Sequence, residues 1–457
     1  MTAGLVSARN AIVLMATLML GGCASFSSDG GLDAVASATA ERGLKPRPQW
    51  VRSEDDGKRV RASVANLLQV PVGVDAAVEI ALLNNPGLQA AYADLGIAEA
   101  DLVQAGRLGN PGFSFARLRR GDELEIERTF LFDVLGLITM PIRTELERRR
   151  FELTQSRLTT EVLRVADNTR RAWYRAVSAR ESDHYAEQVQ AAAEASAELA
   201  RRMAAAGNFS KLDHAREQLF YAEATAQLAR ARQAALLERE RLTRLLGLWG
   251  ADIAFELPER LPDLPRSART IADIETQALR SRLDVRGAMQ QAQSRAAALD
   301  LTRATGLVSV LELGYQRNSE TGLPHQTGYE IELRLPIFDW GMARNARAEQ
   351  LYMQAVNQAA DIAVKARSEV REAYSGYRTA FDLAKHYRDE IVPLRKRISE
   401  ENVLRYNGML ISVFELLADA RQQIVAVNGY IEALRDFWLA ESALELAMTA
   451  TSPGAPS

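Results

Sequence analysis

The chain has one cysteine, Cys23, in 457 residues. No intrachain disulfide can form, so the fold must be held without a covalent cross-link. Beyond the first twenty residues there is no uninterrupted apolar run of the ~18–20 residues a spanning helix needs, so any membrane crossing must use strands. Charge of one sign is also lacking: 56 Lys and Arg stand against 59 Asp and Glu, for a net charge of −3. That balance excludes the basic excess of a nucleic-acid binder. The four histidines, His184, His214, His325 and His386, are scattered, with no pair at helical spacing and no cysteine beside them. HExxH, P-loop, GxSxG and GxGxxG patterns are absent, so no catalytic residue, metal or cofactor is expected and the chain does not read as an enzyme.

What is present begins at the N-terminus. Arg9 precedes a short apolar run, Ala11–Leu20, which is followed by Leu20-Gly21-Gly22-Cys23. A basic start, a short apolar stretch and small residues before a cut site make a secretory signal peptide over 1–22. The last four residues resemble a bacterial lipobox, whose cysteine is lipidated and becomes the mature first residue. Acyl chains contribute roughly 0.8 kcal/mol per buried CH₂, enough for several chains to hold a protein on a membrane. By resemblance to sorted bacterial lipoproteins, Ala24 in place of Asp favours the outer membrane. Residues 23–75 are polar, carry Pro46, Pro48 and Pro71, and read as an irregular tether.

The rest repeats. Over 76–250 the order is a helix from Asn85-Pro86-Gly87 to about 108, two strands, a long helix Pro141–Ala206 and a helix from Ser210 to about Trp249. Asn85 suits an N-cap and Pro86 the first helical position. After a Pro-rich linker, 251–270, the same order returns over 271–450. It comprises a helix Leu283–Thr305 with Ser281-x-x-Asp284 as a capping box, two strands, a long helix Gly341–Asn407 containing Pro393, and a helix Ser412–Ala450. Gly207 and Gly408 end the two long helices as C-caps. Ala81-Leu82 is echoed by Ala278-Leu279, and Phe132-Asp133-Val134-Leu135-Gly136 by Phe338-Asp339-Trp340-Gly341. Residues 451–457 are a short tail. Internal repetition of this kind sets the architecture before any detail.

Lengths sharpen it. At about 1.5 Å per residue, helix 141–206 would run roughly 99 Å, matched by the two shorter helices of its unit placed end to end, and the second unit gives nearly the same values. The expectation is a rod with a β-hairpin at one end and a helical hairpin at the other. The strands alternate with period two: Leu124, Ile126, Phe130 and Phe132 oppose Glu123, Glu125 and Glu127. Leu307, Leu311, Leu313 and Tyr315 oppose Val308, Val310 and Glu312; Tyr329, Ile331, Leu333, Leu335 and Ile337 oppose Glu330, Glu332 and Arg334. An apolar face would meet lipid and an acidic face a water-filled lumen, although packing in a small sandwich would produce similar alternation. Four strands cannot close a barrel that needs about eight, so the protomer must oligomerise. The Ala-rich stretch 191–206 suits close helix approach, in a tunnel or in a plain helical bundle.

These elements resemble the TolC family of outer-membrane efflux ducts, in its lipoprotein branch. The resemblance rests on Ala81-Leu-Leu-Asn-Asn85-Pro86, Ala278-Leu-Arg-Ser-Arg-Leu-Asp284, the Phe132 and Phe338 elements, and Arg405-Tyr406-Asn-Gly408 through Phe414-Glu415-Leu-Leu417. It implies a mainly α chain with a small β part. Three copies would form an α-helical tunnel and a twelve-stranded transmembrane barrel. They would work with a periplasmic adaptor and an inner-membrane pump to carry drugs, toxic compounds or metal ions out of the cell. It also implies a gate near the second helical hairpin, with Arg405, Tyr406, Glu415 and Asp419 as candidates and Glu415 as a ring carboxylate. A solvated helix face is the other reading of Glu415 and Asp419. Glu123, Glu125, Glu127, Glu312, Glu330 and Glu332 are the expected lumen-facing carboxylates. The alternative to a duct is a lipid-anchored periplasmic coiled-coil scaffold or adaptor.

If Cys23 carries the lipid, cells fed radioactive fatty acid will label the parent protein and not Cys23→Ser. Equal labelling of both would remove the anchor.

Overall fold

The computed structural model describes residues 25–304, 311–333 and 340–450. Cys23 with the signal segment lies outside them, as do Leu307, Val308, Val310, Arg334, Leu335, Ile337, Phe338 and Asp339 and the tail 451–457. In chain order the elements are α1 Leu32–Ala40, α2 Glu54–Leu67, α3 Val74–Asn84, α4 Pro86–Ala105, β1 Gly112–Arg120, β2 Glu123–Asp133, α5 Val134–Ala205 and α6 Lys211–Leu246. Then follow α7 Ile274–Ser281, α8 Leu283–Ala304, β3 Leu311–Glu320, β4 Gln326–Leu333, α9 Met342–His386, α10 Val392–Asn407 and α11 Val413–Thr449. The chain divides into two compact units. One gathers the described residues within Met1–Val35, Ala91–Leu158 and Val285–Ala363, and the other those within Ala36–Ala90, Thr159–Asp284 and Val364–Ser457.

The first unit holds the four strands in one antiparallel sheet of order β1-β2-β3-β4. The two hairpins join through β2 and β3, with Phe130 opposite Tyr315. α5 starts at Val134, seven residues before the expected Pro141, because Asp133 supplies the cap: its Oδ1 accepts from the Gly136 N–H at 2.7 Å. A Cβ at Gly136 would lie 2.1 Å from the Asp133 carboxylate, which is why the Phe-Asp-x-x-Gly pattern needs its glycine. Pro141 therefore sits inside the helix. The stretch expected to be an irregular tether is ordered here. The Ser27 N–H donates to Glu99 at 2.6 Å, and Gln155 donates to the Gly31 carbonyl at 3.2 Å.

The second unit carries the largest core. Trp173, Tyr377, Phe381 and Phe437 are buried, with the Phe437 ring 5.7 Å from Tyr377 and 5.8 Å from Phe381. The Trp173 indole N–H donates to the Val72 carbonyl at 2.7 Å, tying residues of the expected tether into this core. α1 and α2 correct that tether reading further: Val35, Leu44, Val60 and Val64 are buried, and Ser53 with Asp56 makes a full capping box on α2.

Each repeat closes in the same way here. At the break between α3 and α4, Asn84 Nδ2 donates to the Leu246 and Gly247 carbonyls at 3.1 and 2.8 Å, and Asn85 Nδ2 to Leu245 at 2.9 Å. At the break between α7 and α8, Ser281 Oγ donates to the Met448 carbonyl at 2.6 Å and Arg282 Nη1 to Ala447 at 3.1 Å. These carbonyls end α6 and α11, where a helix has no partners of its own to offer. Asn85 also caps α4 as expected, accepting from Leu88 N–H at 3.1 Å. Ser281 is not the N-cap of a capping box. It is the last residue of α7, and Asp284 instead pairs with Arg282 at 2.6 Å. Arg282 is 1% exposed and reaches Glu369 as well, at 2.8 Å. Gly247, at φ 66°, ends α6 three residues before the expected stop; a Cβ there would lie 2.5 Å from the Asn84 carbonyl oxygen.

The second long helix runs from Met342 to Asn407, close to the expected bounds, with one irregular turn inside it. A π turn, Tyr387–Ile391, separates α9 from α10, and the Val392 N–H bonds back to the Tyr387 carbonyl. Pro393 follows at once; without an N–H, and with a ring that crowds the preceding turn, it cannot continue a regular α ladder. Gly429 on α11 leaves room for the Tyr387 ring, which a Cβ would meet at 2.7 Å.

Arg282→Ala should lower stability by about 3 kcal/mol, since it strands two carboxylates and a carbonyl. Thermal melting of the purified protein in detergent measures it. A loss no larger than that of an exposed Arg→Ala control such as Arg201→Ala would show that the buried pairs contribute nothing.

Candidate functional site

Register fixes which residues share a face of the sheet. Phe113, Phe130, Tyr315 and Tyr329 are successive partners across the four strands, and Phe132, Leu313 and Ile331 form the next row. All seven are exposed, Tyr329 at 86%. The other face carries Glu123, Glu125, Glu127, Asp133, Glu312, Glu320, Glu330 and Glu332, with Asp133, Glu312 and Glu332 aligned in one row. All six carboxylates expected on one face thus share it, joined by two more. The first face has no carboxylate, and its charges are Arg117, Arg119, Arg128 and Arg317, on the part of the sheet nearer the hairpin turns. Among the described residues the outer edges of β1 and β4 have no strand beside them.

The other candidate region is the pair of helical hairpin turns in the second unit. Gly207, at φ 77°, ends α5 in the left-handed conformation, and the Asn208 N–H bonds to the Met203 carbonyl at 2.9 Å. At the second turn the corresponding bond, Leu410 N–H to Arg405 carbonyl at 2.8 Å, is present. There the left-handed residue is Met409, at φ 59°, rather than Gly408 at φ −81°. An L side chain in that region costs about 1–2 kcal/mol, and with Met409 itself exposed the turn's own backbone bonds must offset it.

The expected gate residues gather near this turn without forming one cluster. Arg405 pairs with Glu401 at 3.4 Å, one turn back on its own helix. Tyr406 is exposed. Glu415 is the third residue of α11, and its carboxylate accepts from the Ser412 N–H at 3.2 Å while its own N–H donates to Ser412 Oγ at 3.3 Å. That capping role explains Glu415 by local chemistry. Asp419 has one carboxylate oxygen buried with no hydrogen-bond partner. The strongest charged contact here was not expected from sequence. Arg421 on α11 reaches Glu217 on α6 at 2.8 Å, Ser196 on α5 donates to the other Glu217 oxygen at 2.8 Å, and the Arg421 guanidinium lies 4.3 Å from the Phe220 ring centre. Glu217 is 2% exposed. A buried carboxylate so paired ties α5, α6 and α11 together.

No family model matches the sequence. Over 228 residues the chain is 33% identical to protein CyaE of Bordetella pertussis (strain Tohama I), and the match spans 46% of each chain, so less than half of that relative is covered. Solved structures align over much more. CusC, described by its transmembrane channel formation, superposes with a TM-score of 0.69 at 17% identity, over 84% of this chain and 93% of its own. The CmeC outer membrane channel of Campylobacter jejuni gives 0.66 at 15%, over 89% of both chains. The MtrE outer membrane channel of Neisseria gonorrhoeae gives 0.68 at 16%, over 82% and 89%.

The chain has the outer-membrane channel fold. The TolC-like resemblance is thereby borne out at the level of the fold. Among the described residues no helix is long and apolar enough to cross a membrane, and no three metal-ligating side chains cluster. Asp167 in the second unit is buried with neither carboxylate oxygen hydrogen-bonded. Burial pushes it up to about 7 against the pull of Arg171 and Arg170. It borders a cavity of about 360 Å³ that Arg170, Arg269 and Glu445 also line.

In an outer-membrane channel fold a tie between α6 and α11 would restrain their separation. Arg421→Ala should raise single-channel conductance in planar bilayers and cost about 3 kcal/mol of stability, because Glu217 is left buried and uncompensated. Adding Glu217→Gln should recover part of that stability, giving a coupling of roughly 1–3 kcal/mol in the double-mutant cycle. Parental conductance in both single variants and the double variant would leave the tie a purely structural contact.

Proposed function

We propose that this chain is one protomer of a homotrimeric outer-membrane exit duct, part of a tripartite efflux system with a periplasmic adaptor and an inner-membrane pump. The observation that carries the reading is the sheet. An exposed aromatic and aliphatic face suits lipid, and a face with eight carboxylates suits water. Two strand edges left unpaired cannot remain so in a bilayer, where each orphan backbone group costs several kcal/mol. Three copies of a four-stranded sheet, joined β1 to β4, would supply a closed barrel of twelve strands, within the known range for transmembrane barrels. The likeness to solved outer-membrane channels supports this assembly, and the carboxylate face then lines the lumen.

In this reading conduction is passive: the duct does no chemistry, and its energy comes from the pump. Glu123, Glu125, Glu127, Glu312, Glu330 and Glu332 would give the outer pore a negative potential that draws cations. The region of Arg405, Tyr406, Glu415 and Asp419, with Gly207 and Gly408 in the turns, would form the narrow periplasmic end. Lipidation at Cys23 would add an anchor beside the barrel. The cargo class, whether drugs, toxic compounds or metal ions, follows from the system's pump and not from any pocket in this chain.

Mass measurement in detergent should give three chains per particle, and the same particles should form cation-preferring channels in planar bilayers. A stable monomer without conductance would favour the lipid-anchored scaffold instead.

A further inference from the structure

The apolar face of the sheet is not wholly apolar. Arg117 on β1, Arg128 on β2 and Arg317 on β3 lie on it, and among the described residues none has an ion-pair partner. Arg128 lies across from Arg317 in the register set by the Ile126–Ser319 and Thr129–Gln316 pairs. Arg117, paired with Ile126, is diagonal to Arg128. Like charges placed opposite on a sheet repel, and this face offers no carboxylate to relieve them.

Their depth is equally specific. Arg128 is paired with Phe115 and stands two residues from Phe130, about 7 Å along the strand from the aromatic row of Phe113, Phe130, Tyr315 and Tyr329. Aromatic rows of this kind settle at the boundary between hydrocarbon and headgroups. An arginine facing lipid costs about 2–4 kcal/mol at the bilayer midplane and close to nothing at the interface. Three unpaired guanidiniums on the turn side of the aromatic row are therefore stable where headgroups supply anions. A phosphate accepts two parallel N–H bonds from one guanidinium and can bridge two of them.

We propose that Arg117, Arg128 and Arg317 form a binding site for the phosphate groups of membrane lipids, on the lipid-facing side of the sheet near its hairpin turns. The assignment rests on the duct reading above, which places this face in a membrane. The occupant is a phosphorylated lipid rather than soluble phosphate, because the site adjoins an exposed apolar surface that acyl chains would cover.

The test uses the full chain, purified in detergent and reconstituted into vesicles of phosphatidylcholine, with and without a minority of phosphatidic acid. Native mass spectrometry after re-extraction reads the lipid retained, and ion flux reads insertion. The parent should retain phosphatidic acid over phosphatidylcholine by about tenfold relative to the mixture, as one charge-assisted contact would give. The triple variant R117Q/R128Q/R317Q should insert and conduct but show no enrichment, and R117K/R128K/R317K should recover part of it. Circular dichroism confirms that both are folded. A parent that inserts and conducts without enrichment overturns the site and leaves the duct standing. Enrichment abolished by millimolar inorganic phosphate would assign the arginines to a soluble anion and overturn the lipid assignment. A parent that inserts into neither vesicle overturns the duct reading and the site with it.

Discussion

The carbonyl ends of two helices impose the constraint on which the second unit depends. A helix finishes with about four carbonyls that no residue of its own can satisfy, and burying them unpaired is costly. α6 and α11 both finish inside the core. The sequence answers with a break in the chain placed against each end, where Asn84 and Asn85 serve one and Ser281 and Arg282 the other. Asparagine supplies a neutral donor. Arginine supplies a charged one, and the cation then requires Asp284 and Glu369 beside it. The second copy of the closure is thus more polar than the first and more demanding of its neighbours. Gly247 belongs to the same constraint, because only a residue without a side chain lets α6 stop against the Asn84 backbone.

The sheet obeys a different rule. Period-two alternation leaves one set of side chains on each face, and here the two sets differ in both polarity and sign of charge. Each face of such a sheet suits a different surrounding, apolar beside one and polar beside the other. Its fold therefore contains a statement about its surroundings, which a helix bundle of balanced charge would not make.

Much of this was legible in the residues. The alternation of Leu124, Ile126, Phe130 and Phe132 with glutamates gave the faces of β2, and Ser210, Ser412 and Gly207 marked real helix ends, because caps act through chemistry local to a few residues. What escaped depended on distant partners or on burial. α3 is buried on nearly every side, so its Ala, Val, Ile and Leu residues show no amphipathic period to read. α1 and α2 look like polar linker because each buries only a few aliphatic side chains. Glu217 and Arg421 stand 204 residues apart, and each is an ordinary charged residue on a charged helix until the fold brings them together. The carboxylate of Glu415 was visible, but its engagement with Ser412 follows from where α11 begins, and the capping pattern at Ser412–Glu415 was the signal that could have shown it.

The π turn before Pro393 has a consequence for the duplication itself. A π turn takes up one residue more than an α turn, and regular helix continues on either side of it. α5, by contrast, is α-helical throughout Val134–Ala205. The duplicated chain thus repeats an order of elements without repeating the helical ladder residue by residue.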